Sequence, residues 1–487
     1  MAAVRMYCQI VPPKPKPPTE NEKAQKALKD AERLQKRAQI HSQNMANVRQ
    51  NTEKLEKEEK SVKYEIICGE LRKIDSNPTA AQMAMQNFQL KTVDQDPKKA
   101  LKLKRHFFNI VLPTVTPCNQ RFSGRCWMFA GLNILRPYFI NKYNLKPNFE
   151  LSQSYLFFWH YYEQYNAMMN LFHFEASSMS DDEKAAYLEK PLHDGGNWIT
   201  FRRLVTKYGI VPGDSDGETW PSSHSSEMNS ILCAMLQKDL CEIQSKDDKK
   251  FKEYRKEALK RVLKMLCSWM GHPPTGPIQL LAYTKKNKCV NVSFDTPLVM
   301  FQEADQPYKI SNHVQLIIDP RHNQDQWFTT QHQELRGIQE LLLNEQDTQN
   351  VANYIKKSIT MGIGVWFACN ISVNVSTVLQ GMDNGLYRPD IFIDYDLAME
   401  KVDRINWGRA RCNHAMLITG ICEDKGKITA FQIQNSWGAT GPHQGYYKMT
   451  REWFDQYVHT VVIHDDILEN LPPAENTTEL KYYDFFG

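Results

Sequence analysis

Hydrophobic and polar positions divide the chain into stretches of different texture. Residues 1–18 are rich in proline, which excludes regular helix or strand there. From Glu20 to about Lys63 the chain is almost entirely Lys, Glu, Gln, Asn and Ala. Ala31, Leu34, Ala38, His41, Met45, Val48, Thr52 and Leu55 fall on a 4-3 spacing, but a seam so small and polar makes a poor coiled coil. This stretch reads as a solvated helix or a partly disordered arm. Globular patterning starts at Tyr64, with short helices expected between Leu71 and Val93. A sharp loop, TPCNQRFSGRC, then runs into an apolar helical pattern at Met128, Leu132, Leu135 and Phe139, which Pro137 should kink or end. Ser152 is placed to cap a second helix dense in aromatic side chains, and a glycine turn comes next at His193–Gly196. Residues 225–360 read as helix-rich and charged, with a break at GHPPTGP. From Gly362 the texture changes to short β-type runs. Helices early and strands late predict an α+β fold.

Composition narrows the class without naming a function. The chain has 487 residues, 41% hydrophobic and 24% charged, an ordinary globular balance. Sixty basic and 56 acidic residues leave a formal charge of +4, so no global field favours nucleic acid or membrane. The longest apolar run, Gly362 to Ile371, is too short to span a bilayer, and the first residues lack a signal-peptide core. The expectation is a soluble, cytoplasmic protein. Eleven cysteines with no CxxC pair form neither a disulfide framework nor a zinc site. Most should be reduced, small buried side chains. The densest basic cluster, Lys246 to Arg261, is interleaved with Asp247, Asp248, Glu253 and Glu257, and i to i+4 pairing on a solvated helix accounts for it.

One cysteine differs in setting from the others. Cys126 comes directly after Ser123-Gly124-Arg125 and opens the apolar helix, where the positive end of the helix dipole favours a thiolate. Gln120 lies six residues upstream; its side-chain amide and the Cys126 N–H could aim at one point and form an oxyanion hole. His414 begins the strand NHAMLITG, and Asn435 ends the strand ITAFQIQ. Two strands joined by the turn EDKGK would set them side by side. Asn435 could then accept from one imidazole nitrogen and leave the other for the thiol, with Trp437 shielding the bond. This is a Cys–His pair oriented by an amide.

The residues also carry a resemblance. Asn119-Gln120 and Ser123-Gly124-Arg125-Cys126-Trp127 resemble the nucleophile loop of papain-like cysteine peptidases, and Asn435-Ser436-Trp437-Gly438 with Gly445-Tyr446 resembles their second active-site element. Within that superfamily the ordered segments SQSYLFFW, DGG, KYGIVP, GHPP, TPL, DPR, VWFACN, HAM and MTREWFDQYV are similar to the bleomycin hydrolase family, over roughly residues 65–465.

The resemblance implies a papain-like fold whose helical left lobe carries Cys126 and whose β-rich right lobe carries His414 and Asn435. It implies a peptidase domain over 64–487, preceded by the arm 1–63. Within it would lie a charged helical insertion at about 225–360 and a tail at about 465–487. The implied activity is thiol-dependent aminopeptidase action on peptides and amino-acid-like small molecules, without metal or organic cofactor. Gly195 and Gly196 would offer backbone hydrogen bonds to substrate. The implied assembly is a homohexameric ring.

In the family a C-terminal arm enters the cleft. Here the ending HDDILENLPPAENTTELKYYDFFG departs from the family's apolar, Ala-rich one, so whether the segment up to Gly487 takes that role is open. Asn413 and Phe122 also depart from the family pattern while removing no reactive group. Two other readings stand beside the aminopeptidase: an endopeptidase with an unblocked cleft, and a ring-forming scaffold with nucleic-acid contacts.

Overall fold

Ser152 caps the aromatic helix as its position suggests, its hydroxyl accepting from the Tyr155 N–H at 3.1 Å. That helix and its neighbours belong to a computed structural model describing residues 62–487 apart from 75, 76, 216, 331–340, 394, 469, 470, 475, 476, 481–483 and 487, plus single helical positions between 36 and 50. The reading of residues 1–63 as an arm falls almost wholly outside the described residues, and Gly487 lies outside them. The chain divides into two units, Met1–Asn87 and Phe88–Gly487. In the first, helices Tyr64–Leu71 and Ala80–Asn87 have no buried residue.

The second unit carries two bodies of structure with separate cores. The helical part comprises α1 (Cys126–Lys142), α2 (Gln153–Phe174), α3 (Trp198–Tyr208), α4 (Ser226–Ile243), α5 (Asp248–Met270) and α6 (Pro297–Asp305). Helix α1 continues through Pro137. Dense burial on both sides of it and the Arg136 guanidinium, which donates to the Thr116 and Pro147 carbonyls at 2.7 Å each, outweigh one missing helix donor. A hairpin, β1 (Ile278–Tyr283) and β2 (Cys289–Phe294), packs at its margin.

Strand content begins earlier than the β-type runs suggest. β3 (His313–Ile317), β4 (Trp327–Thr330) and β5 (Leu341–Asn344) lie in the stretch read as helix-rich. They are short apolar runs between polar segments, and period alone separates them poorly from buried helix. They join β6 (Val365–Cys369), β8 (Lys427–Gln434) flanked by β7 (His414–Asp424) and β9 (Tyr446–Thr450), β10 (Val458–His464) and β11 (Thr477–Leu480) in one mixed sheet. The order is β11-β4-β5-β3-β10-β6-β7-β8-β9, closed at that edge by Gly381–Met382 and Val375–Ser376.

The sheet joins the two bodies through β7. Its Ala415 and Leu417 pack into the core built around α1, while Met416, Ile418 and Ile421 enter a second core with Val351, Ile355 and Ile359 of α7 (Thr348–Thr360). β7 is therefore buried on both faces rather than alternating, as sandwiched strands are. The Trp366 indole of β6 donates to the Trp127 carbonyl at 3.0 Å, which ties the start of α1 to the sheet. The whole is α+β, with no helix among the described residues long and apolar enough to cross a membrane.

Candidate active site

The nucleophile loop is fixed before α1 begins. Ser123 donates its hydroxyl to the Gln120 carbonyl at 2.6 Å, and the Gln120 Nε2 donates to the Ser123 carbonyl at 2.6 Å, so the loop closes on itself. Two backbone bonds link it to the segment after β8: Gln120 N–H to Ser436 O at 2.8 Å and Gly438 N–H to Cys118 O at 2.9 Å. Gly438 has a φ of +82°, and a Cβ there would meet the Asn119 amide at 3.0 Å. The Ser436 hydroxyl donates to Gln120 Oε1 at 2.5 Å, which fixes the oxygen end of the amide, and Gln120 lines the cleft.

Cys126 is the first residue of α1, and its own N–H is one of the first-turn donors without an intrahelical acceptor. The Ala415 N–H of β7 donates to Cys126 Sγ at 3.4 Å. His414, one residue before, donates from Nε2 to Asn435 Oδ1 at 2.9 Å; that oxygen also accepts from the Ser436 N–H at 2.8 Å, which identifies it as the acceptor. This bond sets the imidazole tautomer: Nε2 carries the proton and Nδ1 is the basic nitrogen. Strands β7 and β8 pair as an antiparallel hairpin and bring His414 and Asn435 together, as their spacing predicts. The Trp437 ring lies 5.1 Å from the His414 ring.

Burial dominates the titration of both Cys126 and His414. It pushes the Cys126 thiol up to about 11, against the lowering effect of the Ala415 and Trp127 N–H groups. It pulls His414 down to about 4, against the opposite effect of the Asn435 bond. Burial thus favours the neutral form of each group.

Gly195 and Gly196 line the same cleft of about 540 Å³ as Gln120, Cys126, Trp127 and His414. A Cβ on Gly196 would stand 2.5 Å from the Trp127 ring. Trp437 lies beside the imidazole rather than among the cleft-lining residues.

The sequence reading placed Arg125 and Asp194 within motifs without giving either a role, and it did not single out Glu218. Asp194 Oδ2 accepts from the Gly124 N–H at 2.6 Å, and its carbonyl accepts from the Trp127 indole at 3.1 Å. The Arg125 guanidinium, fully buried, forks onto Glu218 at 2.6 and 2.7 Å, and its Nε donates to Ser123 Oγ at 2.8 Å. The tail contributes too: Phe485 and Phe486 line the cleft with Cys126 and His414. The aromatic pair in an otherwise polar ending was the available signal for it.

A cysteine at a helix N-terminus, an amide-oriented histidine on the facing sheet and a two-lobed α+β frame define the papain-like class of cysteine peptidases. The model of the Peptidase C1-like family matches residues 61–484, and the chain belongs to that family. Aminopeptidase C of Lactobacillus delbrueckii subsp. lactis is 31% identical over 420 residues, covering 83% of this chain and 90% of the relative. Human bleomycin hydrolase is 29% identical, covering 71% of this chain and 79% of its own length. The crystal structure of PepW from Lactobacillus rhamnosis superposes with a TM-score of 0.80 at 27% identity, covering 87% of this chain and 98% of that one.

Proposed function

We propose that this protein is a thiol-dependent aminopeptidase in which Cys126 is the nucleophile, His414 the general base and acid, and Asn435 the group that orients His414. The observation that carries the reading is one cleft holding Cys126, His414 and the tail residues Phe485 and Phe486. His414 Nδ1 takes the thiol proton as Sγ attacks the scissile carbonyl. The Cys126 N–H and the Gln120 amide receive the developing oxyanion. The C–N bond breaks as His414 protonates the leaving amine. Water, deprotonated by His414, then cleaves the thioester and restores the thiol. Gly195 and Gly196 pair with the substrate backbone, where absent side chains leave room for a strand. The tail fills the cleft beyond the first residue on the acyl side, so peptides are shortened from the amino end.

The same reading includes a cytoplasmic homo-oligomer, a hexameric ring built in part by residues 225–360, within a peptidase domain over 64–487. Mass in solution tests the ring. The endopeptidase and the nucleic-acid scaffold are not favoured, because the relatives are named as aminopeptidases and hydrolases and the tail lines the cleft.

The test compares an amino-acid fluorogenic amide with its N-acetylated twin under reducing conditions. Wild type should cleave the free-amine substrate alone, and Cys126→Ala should cleave neither. Equal turnover of the blocked twin would replace the aminopeptidase by an endopeptidase.

A further inference from the structure

The run Asp319-Pro320-Arg321 has no part in the chemistry above, yet it meets the tail. Asp319 is fully buried two residues beyond β3. Asn344 of β5 frames its backbone, accepting from the Asp319 N–H and donating to the Asp319 carbonyl at 3.0 Å each. Arg321 turns back onto this carboxylate: Nε donates to its two oxygens at 2.9 and 3.1 Å, and Nη2 to Oδ2 at 2.7 Å. One edge of the guanidinium is thereby spent on a rigid anchor. The other edge faces Asp484, with Nη2 to Oδ1 at 2.9 Å and Nη1 to Oδ2 at 3.2 Å. A forked guanidinium–carboxylate pair fixes direction as well as distance.

The Asp484 carboxylate in turn orients the residues after it. Its Oδ1 also accepts from the Phe486 N–H at 3.0 Å, a local turn that sets the course of residues 484–486. Phe485 lies edge-on to the His459 ring at 4.7 Å, and Phe486 sinks among Ile199, Ile317, Phe328, Leu342 and Leu480. Both rings reach the cleft. Upstream, β11 pairs in parallel with β4 at the sheet edge. A short chain end without such ties samples many conformations and would leave a cleft open part of the time.

We propose that Arg321 is a positioning residue for substrate selection. Gripped by Asp319, it clamps Asp484 and so holds Phe485 and Phe486 in the cleft, where they exclude substrates extended on the amino side. This rests on the reading of the tail as the cleft's block, and the experiment separates the two. Wild type, Asp484→Asn, Asp484→Glu, Arg321→Gln and a form lacking residues 484–487 are assayed for kcat/KM on the free-amine amide and its N-acetylated twin. Asp484→Asn removes only the tail's charge and leaves the Asp319–Arg321 anchor whole, so it should fold normally; melting temperature checks this.

The expected result is a rise of at least about tenfold in the blocked-to-free ratio for Asp484→Asn and Arg321→Gln, where one decade corresponds to about 1.4 kcal/mol. The ratio should approach that of the deletion, and Asp484→Glu should recover most of the restriction. A wild-type ratio in Asp484→Asn beside a relaxed ratio in the deletion would overturn the clamp and leave the tail reading standing. An unchanged ratio in the deletion would overturn both.

Discussion

Burial drives Cys126 and His414 toward their neutral forms, while the helix N-terminus and the Ala415 N–H favour the thiolate. Burial is the larger influence on both groups. Because burial pulls His414 down to about 4, its protonation stops the base function only in moderate acid. The acid limb of kcat/KM should lie well below the ordinary imidazole value of about 6.5. A pH–rate profile checks this, and a limb at or above that value would contradict it. In the proposed mechanism Asn435 acts only through His414. Replacing it with Ala frees the ring to adopt the wrong tautomer and should lower kcat by about 10²-fold or more with little change in KM. Equal loss in both constants would point instead to a collapsed cleft.

At the level of elements, the loop before α1 is supported from the helical side by Asp194 and Glu218 and from the sheet side by Ser436. Glu218→Gln takes one carboxylate oxygen from a buried guanidinium. It should cost about 1.5–3 kcal/mol of stability, the range for hydrogen bonds to charged groups, and lower kcat as Ser123 and Gln120 lose their alignment. Denaturant melts and single-turnover rates read the two effects separately. Gly196→Ala sets a methyl against the Trp127 ring and should cut kcat/KM more than it lowers the melting temperature.

The residues that the structure brings together in the candidate site were legible in the sequence because each rests on local rules: a cysteine opening an apolar helix, and a histidine and an asparagine on a hairpin of readable length. The supporting contacts of Asp194, Arg125 and Glu218 were not, because their partners lie 67 to 93 residues away and no local period reports them. The strands β3 to β5 were missed for a related reason. Their pairing partners, not their own patterns, make them strands.

Across the whole molecule, several buried histidines couple folding to pH. His160, His313, His414 and His459 are almost fully buried, and burial lowers each below its ordinary value, to about 3 for His160 and about 4 for His313. The folded state stays neutral at these sites where the unfolded chain takes up protons. Stability is therefore greatest above about pH 6.5 and is lost as pH falls toward the folded values. The melting temperature should decline steadily on acidification through that window, and His160→Gln should flatten the slope. A melting temperature independent of pH there would contradict the assignment. The α+β class was readable from the texture of the whole chain. The path of the tail was not, since Asp484 finds Arg321 only after the sheet has brought β3 and β11 into place.

Every step proposed for the reaction depends on acyl transfer through a thioester on Cys126. Rapid quenching of the enzyme with a slowly deacylating amino-acid ester, followed by peptide mass mapping, looks for that bond itself. An acyl adduct on Cys126 should form in wild type and be strongly reduced in His414→Ala. Turnover without any adduct, or with one on another cysteine, would contradict the mechanism.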